Sequence, residues 1–235
     1  MYGHQLMVPV PDIDRSDFIV IAGGNPMASN GSLWTVPGFR HRAKALQQRG
    51  GKIVVLDPRH TETAEIADEH HYVKPGSDAW LLFALINVIF TEGLTDLGRL
   101  NGMTEGVGHI ESMVQPFTPE KAEVETGMSA DAITQLARDF ASAERAVFYG
   151  RMGLSTQEYG SLCQWAIQLL NIITGNLDSV GGSMFSLPAL DPIKGMASKP
   201  GHYGVWKSRV RGLPEFSGEL PCSALAEEIL TLGEG

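Results

Sequence analysis

Short β-branched runs alternate with amphipathic stretches over most of this chain, and that alternation predicts strands followed by helices. The run Phe18-Ile-Val-Ile-Ala22 stops at Gly23-Gly24-Asn25-Pro26. A helix is predicted over residues 38–48, with Arg40, Arg42 and Lys44 outward and Ala43 and Leu46 inward, ended by Gly50-Gly51. A second run, Lys52-Ile-Val-Val-Leu56, stops at Asp57-Pro58-Arg59. This β-α-β pattern implies a right-handed parallel crossover. A short helix over 61–67 and a third strand over 71–74 follow.

Pro75-Gly76-Ser77-Asp78 opens a strongly apolar helix over 79–91, with Ser77 or Asp78 placed to cap it. Short helices are expected over 94–100 and 110–117, and another starts at Thr118-Pro119, where proline suits a first turn. Residues 129–141 form an amphipathic helix with Ile133, Leu136, Ala137 and Phe140 on one face. A second strand–glycine turn–helix unit begins at Ala146, with a strand over 146–149, a turn over 150–157 and an apolar helix over 159–174. From Ser186 onward glycine and proline recur, and an extended tail with one helix over 223–232 is expected.

A length of 235 residues admits one large α/β domain or two smaller ones. The formal charge of -9 argues against nucleic-acid binding, which needs clustered Lys and Arg. Cys163 and Cys222 stand far apart without a Cys/His cluster, so neither a zinc nor an iron–sulfur site is expected within the chain. Cys163 lies in an apolar helical run and reads as core. The start has no signal-like pattern, and the apolar run over 79–90 is too short to span a bilayer. These features make a soluble chain without membrane contact the expectation, with a cytoplasmic location slightly favoured.

The candidate chemistry sits at strand ends. Gly23 and Gly24 permit close backbone approach to a ligand, and Asn25, Ser29 and Asn30 add polar groups suited to phosphate oxygens. The turn is neither a GxGxxG fingerprint nor a Walker loop, and it could be a plain tight turn. Asp57 ends a buried strand where doubly wound folds place a carboxylate to hold ribose hydroxyls, with Arg59 and Thr61 as further donors. A surface ion pair is the competing explanation. At Pro75–Asp78, simple helix capping competes with a carboxylate that takes the paired N1–H and amine donors of guanine, a pair adenine lacks. His60, His70 and His71 read as solvated histidines rather than a metal cluster, since neighbours in a strand face opposite ways. No catalytic residue or metal ligand is assigned from spacing.

The segments DIDRSDFIVIAGGNPMASN, KIVVLDPRHTETAEIADEH, VKPGSDAWLLFAL, YGRMGLSTQEYG and NIITGNLDSVGG, in this order, give the chain a resemblance to the molybdopterin subunit of the dimethyl-sulfoxide-reductase family, which includes formate dehydrogenases and nitrate reductases. The resemblance covers residues 12–185. It implies a three-layer α/β/α fold with a mainly parallel, Rossmann-like sheet, part of two interleaved middle domains: residues 1–145 as a partial dinucleotide-binding domain, and 146–235 as a returning segment of the second. It also implies a molybdopterin guanine dinucleotide carrying molybdenum or tungsten. Ala22, Gly23, Gly24, Asn25, Pro26, Met27, Ala28 and Ser29 would lie along the pyrophosphate. Asp57, Pro58, Arg59, His60 and Thr61 would surround ribose and guanine, and Gly76, Ser77 and Asp78 would meet the guanine edge. Met152, Gly153, Thr156 and Gln157 would approach the pterin and metal side.

Two family features are not recognisable here: the cysteine cluster for a 4Fe-4S centre and the residue that ligates molybdenum. The chain therefore reads as an interior fragment of a larger oxidoreductase acting on a small substrate, with the rest of the polypeptide and electron-transfer subunits as partners, and inactive alone. Two rivals remain: a non-catalytic module binding a guanine nucleotide or pterin dinucleotide, and the central domain of thiamine-diphosphate enzymes. The second would require a GDG…N motif, which the sequence lacks.

Overall fold

The computed structural model describes Tyr2, residues 7–189 and residues 203–233. The described residues form two compact units, one of residues 9–186 and the other of the described residues outside that range. The larger unit runs β1 (Pro9–Pro11), β2 (Phe18–Ala22), α1 (Pro26–Ser29), α2 (Phe39–Gln48), β3 (Lys52–Leu56), β4 (Glu69–His71), α3 (Asp78–Thr91), α4 (Val107–Val114), α5 (Pro119–Thr126), α6 (Ala130–Ser142), β5 (Ala146–Gly150), α7 (Met152–Ser155), α8 (Gly160–Ile173) and β6 (Ser183–Phe185).

Four of these strands form one parallel sheet in the order β4-β3-β2-β5. Alternation along them separates two cores. Phe18, Val20, Ala22, Val54, Leu56 and Phe148 pack with the apolar faces of α3, α6 and α8. Ile19, Ile21, Ile53, Val55, Val147 and Tyr149 pack with Trp34 and with Phe39, Ala43 and Leu46 of α2. The result is three layers, α/β/α, as the resemblance implied. The strand order reverses about β2, the arrangement in which doubly wound sheets bind ligands at the carboxyl ends. The division expected after residue 145 falls inside this unit, where β5 pairs with β2 along its whole length.

β5 is an edge strand whose outer backbone groups face α8 and the loop after it. Two buried amides cover them. Asn171 Nδ2 donates to Phe148 O at 2.9 Å, while its Oδ1 accepts from Phe148 N at 2.9 Å. Asn176 Oδ1 accepts from Ala146 N at 2.9 Å. Side chains thus finish a ladder that would otherwise be an open edge.

Several expected elements shift. The third strand lies at Glu69–His71 rather than 71–74, because Asp57 N–H donates to His71 O at 3.2 Å while Lys74 N–H is taken by Thr126 O at 2.9 Å, beyond the sheet. Leu94–Leu100 forms only a 3-10 turn over Gly98–Leu100, since Asp96 N–H bonds Ile173 O at 2.8 Å and draws that stretch out of helix. Ser77 occupies the N-cap of α3, yet its hydroxyl donates back to Lys74 O at 2.7 Å and caps no helical N–H. Ser129 does cap α6, accepting from Ala132 N.

In the smaller unit a hairpin, β7 (Tyr203–Lys207) with β8 (Pro214–Phe216), stands where a loop was expected. Gly204 and Gly212, both at positive φ, and an irregular register hide its alternation. The terminal helix spans Leu225–Leu230. The expected tail residues 190–202 lie outside the described residues. Among the described residues, no helix is long and apolar enough to cross a membrane.

Candidate functional site

The carboxyl ends of β2, β3 and β5 open into one cleft of about 330 Å³, lined by Gly23, Gly24, Asn25, Ala28, Ser29, Ser32, Asp57, Arg59, Thr61, Arg151, Met152 and Gly153. Three chain segments, distant in sequence, are brought together there by the sheet register, which aligns Ala22 with both Leu56 and Gly150.

The floor is a backbone crossing. Gly23 N–H donates to Leu56 O at 2.9 Å, Arg151 N–H to Ala22 O at 3.0 Å, and Gly153 N–H to Gly23 O at 2.9 Å. Gly23 adopts φ +58, and a Cβ there would sit 2.9 Å from Gly153 Cα. A Cβ on Gly153 would sit 2.8 Å from Gly23 Cα. Only glycine at both positions lets the turns after β2 and β5 touch, so these glycines serve the crossing as well as any ligand.

The walls are tied together by side chains. Asn25 donates through Nδ2 to Glu62 at 2.7 Å and accepts through Oδ1 from Thr63 Oγ1 at 2.7 Å. Its amide therefore joins the β2 turn to the segment after β3. Asp57 Oδ1 accepts from Arg59 N–H at 2.8 Å, closing an Asx turn, and buried Thr61 Oγ1 accepts from Ala64 N–H at 3.2 Å. Arg59 lies 3.5 Å from Glu62 in an exposed pair. Pro26 is buried, Met27 N–H donates to Thr63 Oγ1 at 3.1 Å, and Ala22 ends β2; these three and the exposed Pro58 flank the cleft without lining it. Beside Asp57, His60, His70 and Tyr72 pack edge to face in a row, with centroids 5.1 and 4.5 Å apart. His70 Nε2 also lies 2.9 Å from Asp57 O, so His70 is structurally engaged rather than simply solvated. Among the described residues, no group of His, Cys, Asp and Glu suits a metal ion.

Asp78 lies at the first turn of α3, half-buried, and accepts Gln157 Nε2–H at 2.8 Å. Burial pushes its carboxyl above the usual carboxylate range, the Gln157 bond works the other way, and the Asp57 charge adds to the rise. Asp78 and Gln157, which the resemblance assigns to the guanine and pterin sides of the cofactor, are thus in direct contact. Gly76 has φ +85 with open space around it, and Thr156 Oγ1 donates to Met152 O at 2.8 Å. Cys163 is fully buried in the core, and burial pushes its thiol up to about 11.

Two lining residues escaped the sequence reading, Ser32 and Arg151. Arg151 is the more informative. Its Nε is buried without a hydrogen-bond partner, alone in this among the buried side-chain nitrogens and oxygens of the described residues. Its Cβ and Cγ pack over Gly24, 3.3 and 3.6 Å from where a Cβ would stand. The signal available in sequence was its place directly after β5, the counterpart of Gly23 after β2.

Comparison with known proteins gives this geometry its context. A model of the molybdopterin oxidoreductase family matches residues 1–215. Formate dehydrogenase H of Escherichia coli (strain K12) is 36% identical over 168 residues, covering 72% of this chain and 23% of that protein. The F420-dependent formate dehydrogenase subunit alpha of Methanocaldococcus jannaschii is 31% identical over 186 residues, covering 79% and 27%. Acetylene hydratase from Pelobacter acetylenicus shares the fold with a TM-score of 0.68 and 27% identity over 84% of this chain and 27% of its own. The chain thus spans about a quarter of the length of the relatives it matches. On the extent of the match and the shared fold, the chain belongs to the molybdopterin oxidoreductase family.

Proposed function

We propose that the cleft holds the dinucleotide portion of a molybdopterin guanine dinucleotide, as one part of a larger oxidoreductase acting on a small substrate. The residues present fit such a group. The carrying observation is the Gly23–Gly153 crossing at the carboxyl edge of β2 and β5, with the unpartnered Arg151 Nε beside it. A side-chain-free floor lets a phosphate approach backbone, and Arg151, whose Nε has no hydrogen-bond partner, offers the countercharge.

In this reading the turn from Ala22 to Ser29 follows the pyrophosphate, and Asp57 to Thr61 borders the ribose, where a strand-end carboxylate accepts hydroxyl hydrogen bonds. Gly76 to Asp78 meets the base. Asp78 accepts the Gln157 amide N–H, and a guanine edge with two adjacent donors is the stronger partner for an ionised carboxylate. Gln157 would then be freed toward the pterin, alongside Met152, Gly153 and Thr156. When bound, the cofactor would supply the molybdenum or tungsten centre that exchanges electrons with substrate. This chain's own residues bind and orient. A 4Fe-4S centre, the metal-ligating residue and electron-transfer partners would belong to the rest of the parent and its complex.

Calorimetric titration of the chain with GDP and with ADP tests the base assignment. GDP is expected to bind more tightly, and Asp78→Ala to remove the difference while leaving ADP unchanged. Equal affinities in the wild type, or a preference that survives Asp78→Ala, would overturn it.

A further inference from the structure

We propose that Arg151 is the anion-binding residue of the cleft, a guanidinium held in place for a diphosphate before any ligand arrives. The inference rests on the nucleotide reading of the cleft and deepens it by naming the residue that carries the countercharge. Three observations lead to it. Arg151 N–H is fixed to Ala22 O at 3.0 Å, which sets the residue at the β2–β5 crossing. Its stem packs over Gly24, leaving the side chain half-buried along the cleft wall. Its Nε, buried and unpartnered, has lost water without gaining an acceptor.

A desolvated donor on a charged group is costly unless an acceptor completes it. The cleft's other arginine, Arg59, is exposed and already pairs with Glu62 at 3.5 Å, so Arg151 is the cation of the lining without an acidic partner. A planar guanidinium presents paired donors matched to phosphate oxygens, and a diphosphate offers acceptors on two phosphorus centres.

The test is calorimetric titration of the chain with GDP and with inorganic pyrophosphate, at low and high NaCl, for wild type, Arg151→Gln and Arg151→Lys. Arg151→Gln is expected to weaken GDP binding by about 10–100-fold, the usual effect of losing a charge-assisted hydrogen bond, and to abolish pyrophosphate binding. It should also remove most of the salt dependence, a readout that a merely structural role would not move. Arg151→Lys keeps the stem and the charge, so it should retain the salt dependence with intermediate affinity. If wild type binds GDP and Arg151→Gln matches it within about twofold, the arginine assignment fails while the nucleotide reading stands. The assignment also fails if Arg151→Gln weakens GDP yet keeps the wild-type salt dependence. If wild type takes up neither GDP nor pyrophosphate, both fall.

Discussion

Replacing Gly153 with alanine isolates the backbone crossing from every other property of the site. Gly153 is not at positive φ, so alanine meets no intrinsic backbone strain there, unlike Gly23 at φ +58. The new Cβ would stand 2.8 Å from Gly23 Cα and 3.1 Å from Gly23 O. Ordinary carbon contacts lie near ~3.5 Å, so the two turns must part by roughly 0.7 Å. That movement stretches the Gly153 N–H to Gly23 O bond from 2.9 Å to about 3.6 Å, outside hydrogen-bond range. Losing the bond costs about 1 kcal/mol and overpacking about 1–3 kcal/mol, so Gly153→Ala should destabilise the chain by about 2–4 kcal/mol. Thermal unfolding followed by circular dichroism should show a fall of roughly 4–16 °C. Gly108→Ala is the control. It lies in α4 with open space around it, and helix propensity predicts a gain of about 0.5–1 kcal/mol. A Gly153→Ala protein within about 0.5 kcal/mol of wild type would refute the crossing as the constraint on this glycine.

Asn171→Ala should cost about 2–5 kcal/mol in urea unfolding, because Phe148 N–H and C=O would both be left buried without partners; an effect under about 1 kcal/mol would mean water replaces the amide. Asp78→Asn tests the raised carboxyl. Because the folded-state pKa lies above the unfolded one, the native chain binds more protons in the acid window between them, and wild-type stability falls as pH rises through it. Asn can still accept the Gln157 bond, so Asp78→Asn should lose that slope and match or exceed wild type at pH 7; a variant with the wild-type profile would contradict the burial argument. The purified chain should turn over no formate, nitrate or S- or N-oxide, whereas measurable turnover without added polypeptide would place a metal-binding residue within it.

How far the sequence could be read depends on the range of the interactions involved. β2, β3 and β5 were legible because each is a short β-branched or aromatic run bounded by glycine or by Asp57-Pro58, and α6 because Ile133, Leu136, Ala137 and Phe140 repeat at helical spacing. Their cores then followed from alternation. The shift of β4 was not legible, since it depends on Thr126 capturing Lys74 N–H across the fold. The amides of Asn171 and Asn176 look like ordinary polar residues in or after a helix until the edge of β5 is placed against them. At the site, the glycine turns and Asp57 were visible as local motifs. Arg151 was not, because its significance comes from a burial and an absent partner that only the three-dimensional packing of α7, Gly24 and β5 creates. The amide of Asn25, read from its neighbourhood as a group suited to phosphate, also ties the β2 turn to Glu62 and Thr63, contacts that only the fold brings together.

The proposed function depends on ligand binding at the β2–β5 crossing. Two-dimensional amide NMR of the labelled chain during GDP titration tests it directly. Binding there should give saturable shifts concentrated at Gly23, Gly24, Asp57, Asp78, Arg151 and Gly153, with α4 and the 203–216 hairpin unmoved. Saturable shifts centred elsewhere, or no shifts at these residues at saturating GDP, would contradict it.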